Sequence, residues 1–202
     1  MSRYRGPKLR LVRRLQTLLP FLTQKKSKKK NPPGKNGNYK IGLSSKEYEI
    51  RLKEKQKLIY NYGISEDLLK EYVKRAKERR GITGLIFLQL LESRLDVICL
   101  RLGFAESLSH SRQLVNHGHI LLNKQPVNIP SIECSPNDLI TIRDDSTIKA
   151  ASSIKKKWKL PSHLIIENSK KFEAKMLDYC NRDEILLEIN ELLVIEYYSR
   201  KL

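Results

Sequence analysis

A chain of 202 residues can bury one large core or two modest ones, and two fit its pattern better. Lys and Arg outnumber Asp and Glu by 40 to 22, a formal charge of +18 that points to a polyanionic partner. No run of about 18 apolar residues exists, and Leu85–Leu91 is far too short to span a bilayer, so nucleic acid is preferred over a membrane.

Taken in chain order, the segment from Met1 to Lys46 carries 14 Lys or Arg and no Asp or Glu. It has no short apolar core with a small-residue cleavage site. It is also Lys-rich and broken by Asn31-Pro32-Pro33-Gly34, so it reads as mature sequence and not as a secretory or transit peptide. Such a segment cannot collapse alone. A solvated tail is one reading; the preferred one is an arm over residues 1–43 that becomes ordered against phosphates. Leu9, Leu11, Leu15, Leu18, Leu19 and Leu22 suggest that part of it also packs.

Ser44 with Glu47 three residues on, and Leu43 with Tyr48, predict a helix N-terminus; the helix should run to Tyr62 and stop at Gly63. Ser65 opens a second helix with Leu68, Leu69, Tyr72, Val73 and Ala76 as its apolar stripe, ended by Gly81. Lys74, Arg75, Lys77, Arg79 and Arg80 near its end suit either the macrodipole or a phosphate partner. Thr83 is expected to cap a third helix with the apolar run Leu85 to Leu91, completing a helical domain over 44–90.

After Gly103 the pieces shorten. Ser109–Asn116 reads as a short helix ended by Gly118 at positive φ, and Ile120–Leu122, Val127 and Leu139–Arg143 read as strands. Asn123-Lys124 is a hairpin turn and Ser135-Pro136-Asn137-Asp138 a second one. Residues 148–160 form a Lys-rich loop in which Trp158 either packs on the domain, the favoured reading, or anchors a base. Ile185, Leu187 and Ile189 alternate as a strand would, Asn190 can cap a last helix through Ser199, and 161–202 is expected to complete the helical domain.

Arg94 and Arg101 stand seven residues apart, two helical turns, and are expected to share a face that meets phosphates. Asp96 is read as tying a neighbouring arginine or a helix end. Ser109, His110 and Ser111 at a helix N-terminus suit a phosphate, with Arg112 and Gln113 extending that surface. His117 and His119 have no Cys or carboxylate at ligand spacing and read as RNA-facing or turn histidines, not a zinc site. Cys99, Cys134 and Cys180 sit singly, as buried thiols of a reducing compartment would. No Gly-rich phosphate loop, Ser elbow, metal motif or paired-carboxylate cluster is found, so no enzyme activity and no cofactor are expected.

Arg94-Leu95-Asp96, Arg101-Leu102-Gly103-Phe104-Ala105, Arg112-Gln113-Leu114-Val115, His117-Gly118-His119-Ile120 and Pro126-Val127-Asn128-Ile129-Pro130-Ser131 resemble the RNA-binding module named after small-subunit ribosomal protein S-four. Resemblance extends to Met1-Ser2-Arg3-Tyr4-Arg5-Gly6-Pro7 and to Glu196-Tyr197-Tyr198-Ser199-Arg200-Lys201, which look like the plastid branch of that family. The resemblance implies an α+β chain: a basic arm, a helical domain, and an inserted module over 91–147 with two short helices on a small, mainly antiparallel sheet. It implies binding to the 5′ domain of 16S-type ribosomal RNA beside neighbouring small-subunit proteins, early assembly of the subunit body, and a share in translational accuracy. No membrane, small-molecule substrate or homo-oligomer is implied, and the address would be the small ribosomal subunit in the plastid (chloroplast) stroma.

RNA contact is expected at Arg3, Arg5, Lys8, Arg10, Arg13, Arg14, Arg79, Arg80, Arg94, Arg101, Ser109, His110, Ser111, Arg112, Gln113, His117, His119 and Asn123. Some bacterial relatives hold a metal on an N-terminal cysteine cluster; no Cys precedes Cys99 here, so that metal is not carried over. Asn137 stands where glycine is common, a mild change because Asn tolerates a left-handed turn. The same module is appended to pseudouridine synthases and aminoacyl-tRNA synthetases, but about 50 residues after it are too few for a catalytic domain. A free heat-shock or rescue RNA binder would need neither the helical domain nor these chain ends.

Overall fold

The computed structural model describes residues 4–23, 25–29, 31–34, 46–143, 159–168 and 172–199. The chain forms two compact units, one of Met1–Leu88 with Leu186–Leu202 and one of Gln89–Ile185. Arg3, the Leu43–Ser44 helix signal and Trp158 lie outside the described residues.

The first unit is helical: α1 (Lys8–Leu15), α2 (Lys46–Tyr62), α3 (Glu66–Glu78), the start of α4 (Thr83–Glu92) and α7 (Glu191–Ser199). Helix α1 belongs to the segment expected as an arm, and it is packed: Leu11, Val12 and Leu15 are buried while Lys8, Arg10 and Arg14 stay outside. The residues behind it are tied down as well. The Phe21 amide donates to Asn61 Oδ1 at 3.0 Å, and the Phe21 and Tyr62 rings meet edge to face at 5.4 Å.

Gly63, at φ +56°, ends α2, and Ile64 N–H returns to the Ile59 carbonyl. Ser65 Oγ caps α3 by accepting from Leu68 N–H. Helix α4 begins at Thr83, one residue earlier than a Thr83 cap would allow. Gly84 lies inside α4 because a Cβ there would come within 2.6 Å of Glu191 Cγ. Asn190 Oδ1 accepts from Leu192 N–H and starts α7.

The second unit packs α5 (Leu95–Leu102) and α6 (Leu108–Asn116) on a five-stranded antiparallel sheet in the order β2-β1-β3-β5-β4. The strands are β1 (Ile120–Leu122), β2 (Gln125–Pro126), β3 (Leu139–Ile142), β4 (Leu164–Asn168) and β5 (Glu173–Met176). Leu95, Ile98, Leu102, Phe104, Val115, Ile120, Ile140, Leu164 and Met176 belong to one buried cluster. Asn123 and Lys124, at φ +51° and +67°, make the two-residue turn between β1 and β2 whose positive φ values match strand twist.

Two expectations are corrected. Residues 161–185 do not join the helical domain: β4 and β5 extend the module's sheet, with Leu164, Ala174 and Met176 inside its core, and only 186–202 falls in the first unit. Ile185, Leu187 and Ile189 are buried in alternation, but no ladder includes them among the described residues, and a short 3-10 helix, Arg182–Glu184, precedes them. Alternation encodes extended backbone with one buried face; a strand also needs a free sheet edge beside it.

Cys99, Cys134 and Cys180 are buried and unbridged. Burial pushes the Cys99 thiol well above its ordinary pKa and that of Cys134 up to about 12.

Asn137 adopts φ +77° in the turn before β3, and its amide donates to the Met176 carbonyl at 2.7 Å. Asn137→Ala should cost about 1 kcal/mol through left-handed strain, whereas Asn137→Gly should be near neutral. Thermal melting of the two variants against the parent chain checks the order.

Candidate nucleic-acid interface

The second unit is organised around one carboxylate. Asp96, fully buried in the first turn of α5, accepts from Arg94 Nε on Oδ1 and from Arg94 Nη2 on Oδ2, each at 3.0 Å. Arg112 Nε, from α6, donates to the same Oδ2 at 2.7 Å. Ser111 Oγ donates to the Asp96 main-chain carbonyl at 2.6 Å. Two helices are therefore joined by a buried ionic triad plus a hydroxyl bond.

Arg94 is the N-cap of α5 but supplies no side-chain cap. The first amides of α5 are satisfied by the loop instead: Leu95 N–H donates to the Ile132 carbonyl and Asp96 N–H to that of Pro130. The stretch from Pro130 to Ile132 thus acts as a backbone cap.

This arrangement overturns the shared phosphate-facing surface expected of Arg94 and Arg101. Arg94 is 0% exposed and paired with Asp96; Arg101 is 4% exposed, donates from Nε to Glu92 at 3.2 Å and from Nη2 to the Glu184 carbonyl. Heptad spacing aligns residues only within one helix, and Arg94 lies before α5 begins. Ser111 is likewise buried, and Arg112 shows only 8% of its surface. Asn123 is exposed, but its side chain braces the turn: Nδ2 donates to Asp138 Oδ1 and Oδ1 accepts from Leu139 N–H.

What α6 does present is neutral and polar. Ser109, Gln113 and Asn116 recur at helical spacing and are all exposed, while Leu108, Leu114 and Val115 are buried. The cap is Ser107, whose Oγ accepts from His110 N–H, and not Ser109. His110 is half-buried, with Nδ1 accepting from the Glu106 amide at 3.4 Å.

At the other end of α6 the chain reverses through Gly118 at φ +74°, with Gly118 N–H on the Val115 carbonyl and His119 N–H on that of Leu114. His117 is exposed, and its ring lies 6.0 Å from that of half-buried His119. Arg143 N–H donates to the His119 carbonyl at the end of the β1–β3 ladder, which brings an exposed arginine beside the histidine pair. Arg143 and exposed Lys124 were read from sequence only as strand and turn residues, not as RNA-facing ones; the register that pairs Ile120 with Ile142 is the signal that finds Arg143. Among the described residues His117 and His119 belong to no group of three potential metal ligands.

In the first unit Arg5, Lys8, Arg10, Arg14, Arg79 and Arg80 are exposed. Arg13 is half-buried and donates to the Asn31 and Pro32 carbonyls, so it pins the Pro-containing segment. Along α3, Lys70, Lys74 and Lys77 line an exposed face beside the buried stripe of Leu69, Tyr72, Val73 and Ala76; Lys70 was missed from sequence. Arg75 instead lies over the Tyr72 ring, 5.7 Å from its centroid.

Comparison with known proteins gives this geometry a lineage. The model of the S4 domain matches residues 93–140, and that of the ribosomal protein S4/S9 N-terminal domain matches residues 3–92. Small ribosomal subunit protein uS4c of Phaeodactylum tricornutum is 55% identical over 205 residues, covering all of both chains. The chain belongs to the ribosomal protein S4 family. The uS4c protein of Trieres chinensis is 53% identical over 208 residues and a uS4 protein of Prochlorococcus marinus 50% over 205, again at full coverage. Within this S4 chain the family-matched module ends at residue 140, whereas β4 and β5 lie beyond it in the same sheet.

Removing Asp96 would strand two buried arginines. Asp96→Ala should cost roughly 3–5 kcal/mol, while Arg112→Met, which leaves Asp96 bonded to Arg94, should cost less. Urea denaturation of both variants measures the difference.

Proposed function

We propose that this chain is a structural constituent of the small ribosomal subunit in plastids. In that role it binds 16S-type ribosomal RNA directly, nucleates assembly of the subunit body and, with neighbouring ribosomal proteins, contributes to translational accuracy. The observation that carries the reading is end-to-end identity of 55% with a small ribosomal subunit protein. The geometry supports it: exposed cations lie along α1, along α3 and after it, and a polar face on α6 is held by a rigid buried triad.

Phosphate contact falls to the exposed cations Arg5, Lys8, Arg10, Arg14, Arg79 and Arg80, where each neutralised phosphate releases counterions. Ser109, Gln113, His117 and His119 offer hydroxyl, amide and imidazole groups suited to ribose, phosphate and unpaired bases. Arg112 acts mainly from within, holding α6 so that those groups share one orientation. The RNA site is the 5′ domain of the small-subunit ribosomal RNA, and the chain acts there as a single copy.

The test is binding of the full chain to 5′-domain ribosomal RNA across a salt series, with tRNA as competitor and footprinting alongside. Protection localised at one junction and surviving competitor is expected; equal binding to tRNA with no localised footprint would sink the reading. Arg79→Ala and Arg80→Ala should each lower the slope of log affinity against log salt by about 1. Gln113→Ala should weaken binding with little change in that slope.

A further inference from the structure

A second cluster in the Gln89–Ile185 unit uses none of the residues assigned to RNA. His163 lies in the turn before β4, Cys180 in the loop after β5, and Glu184 at the end of the 3-10 helix. One potential ligand atom from each lies within 4.8 Å of the others; the histidine and cysteine are buried and the glutamate half-buried. His163 Nδ1 is 2.9 Å from Glu184 Oε2, and the Cys180 thiol donates to the adjacent Asn181 carbonyl at 3.3 Å.

The surroundings hold one carboxylate oxygen of Glu184 and the main chain at Cys180 and Glu184. Ser162 N–H donates to Glu184 Oε1 at 2.6 Å, and Gln89 Nε2 donates to the Cys180 carbonyl at 3.2 Å. Arg101, paired with Glu92, donates to the Glu184 carbonyl. Ser162 and His163 thus each engage a different carboxylate oxygen of Glu184. A histidine–glutamate pair would suffice to pin this corner; it gives no reason for a buried thiol at the same point.

We propose that His163, Cys180 and Glu184 form a binding site for a thiophilic divalent cation of the Zn²⁺ type, with the fourth position taken by water. Mixed sulfur, nitrogen and oxygen donors select Zn²⁺ or Co²⁺ over Mg²⁺ or Ca²⁺, which take oxygen ligands. Bond lengths of about 2.0–2.3 Å place the donors roughly 3.3–3.8 Å from one another, so side-chain rotation must open the His163–Glu184 pair from 2.9 Å while it draws in donors as far apart as 4.8 Å. On binding, the Cys180 thiol gives its proton to solvent as the thiolate–metal bond forms. The bonds to Glu184 and to the Cys180 backbone become the outer support of the metal.

The experiment is titration of the chelator-treated full chain with Co²⁺, read by the thiolate-to-cobalt charge-transfer band. One equivalent should develop the band, Zn²⁺ should abolish it, and Mg²⁺ should not. Cys180→Ser should remove the band while Cys134→Ser keeps it, and His163→Gln should weaken Co²⁺ at least tenfold. A readout on the unaltered chain guards against a variant that fails to fold: Zn²⁺ should slow alkylation of Cys180 at least tenfold, by peptide mass mapping, and leave Cys99 and Cys134 unchanged. A folded chain with no charge-transfer band, a band that survives in Cys180→Ser, or Cys180 alkylation indifferent to Zn²⁺ would overturn the proposal.

Discussion

The second unit depends on the negative charge of Asp96. A carboxylate with no exposed surface is tolerable only if ion pairs and hydrogen bonds replace its water, and Arg94 and Arg112 do so from either side. The same residue's carbonyl holds Ser111, and its amide is capped by Pro130. One position thus connects the start of α5, the body of α6 and the loop leading to β3. An apolar substitute could fill the volume, but it would not fix the rotation of α6, on which the exposed faces of Ser109, Gln113 and Asn116 depend.

Charge is sorted by depth. Lys55, Arg94 and Arg101 are buried and each meets an acid: Glu66, Asp96 and Glu92. Glu54 accepts from Lys57 and from the Asn190 amide, and Arg51 joins Glu47 to Glu196. Asp96, Glu92 and Glu54 are thereby held in buried pairs, Glu47, Glu66 and Glu196 pair at the surface, and Lys25, Lys26, Lys28, Lys29, Lys70, Lys74, Lys77, Arg79 and Arg80 are exposed. A net +18 consequently acts outward, where it raises the rate and affinity of association with a polyanion.

Local signals in the sequence were strong wherever one residue type does one backbone task. Ser65 as a cap, Gly63 and Gly118 at positive φ, the Asn123-Lys124 turn and the left-handed Asn137 were all readable, because caps and turns depend on neighbours along the chain. The sheet's outer half was not. Leu164–Asn168 and Glu173–Met176 are short, and Ala174 and Met176 carry little strand preference, so their pairing exists only through the edge that β3 offers. Asp96 was readable as the tie of a neighbouring arginine, and Arg94 is that arginine; Arg101 and Arg112 look like surface charge until tertiary structure brings Glu92 and Asp96 to them.

On the proposed function, this distribution of charge implies a division of labour in RNA recognition. Exposed described cations crowd the first unit, whereas the second shows few, notably Lys124, Arg143 and Lys159, beside a face of hydroxyl, amide and imidazole groups. Contacts of the first kind release counterions and weaken steeply with salt; those of the second do not. The helical unit should then set most of the salt slope and the association rate, while α6 and the turn after it contribute the salt-insensitive remainder that gives selectivity among RNAs. Rigidity matters more for that second term, since hydroxyl and amide contacts tolerate less displacement than a flexible lysine does. That is a physical reason for a buried ionic triad to lie beneath α6.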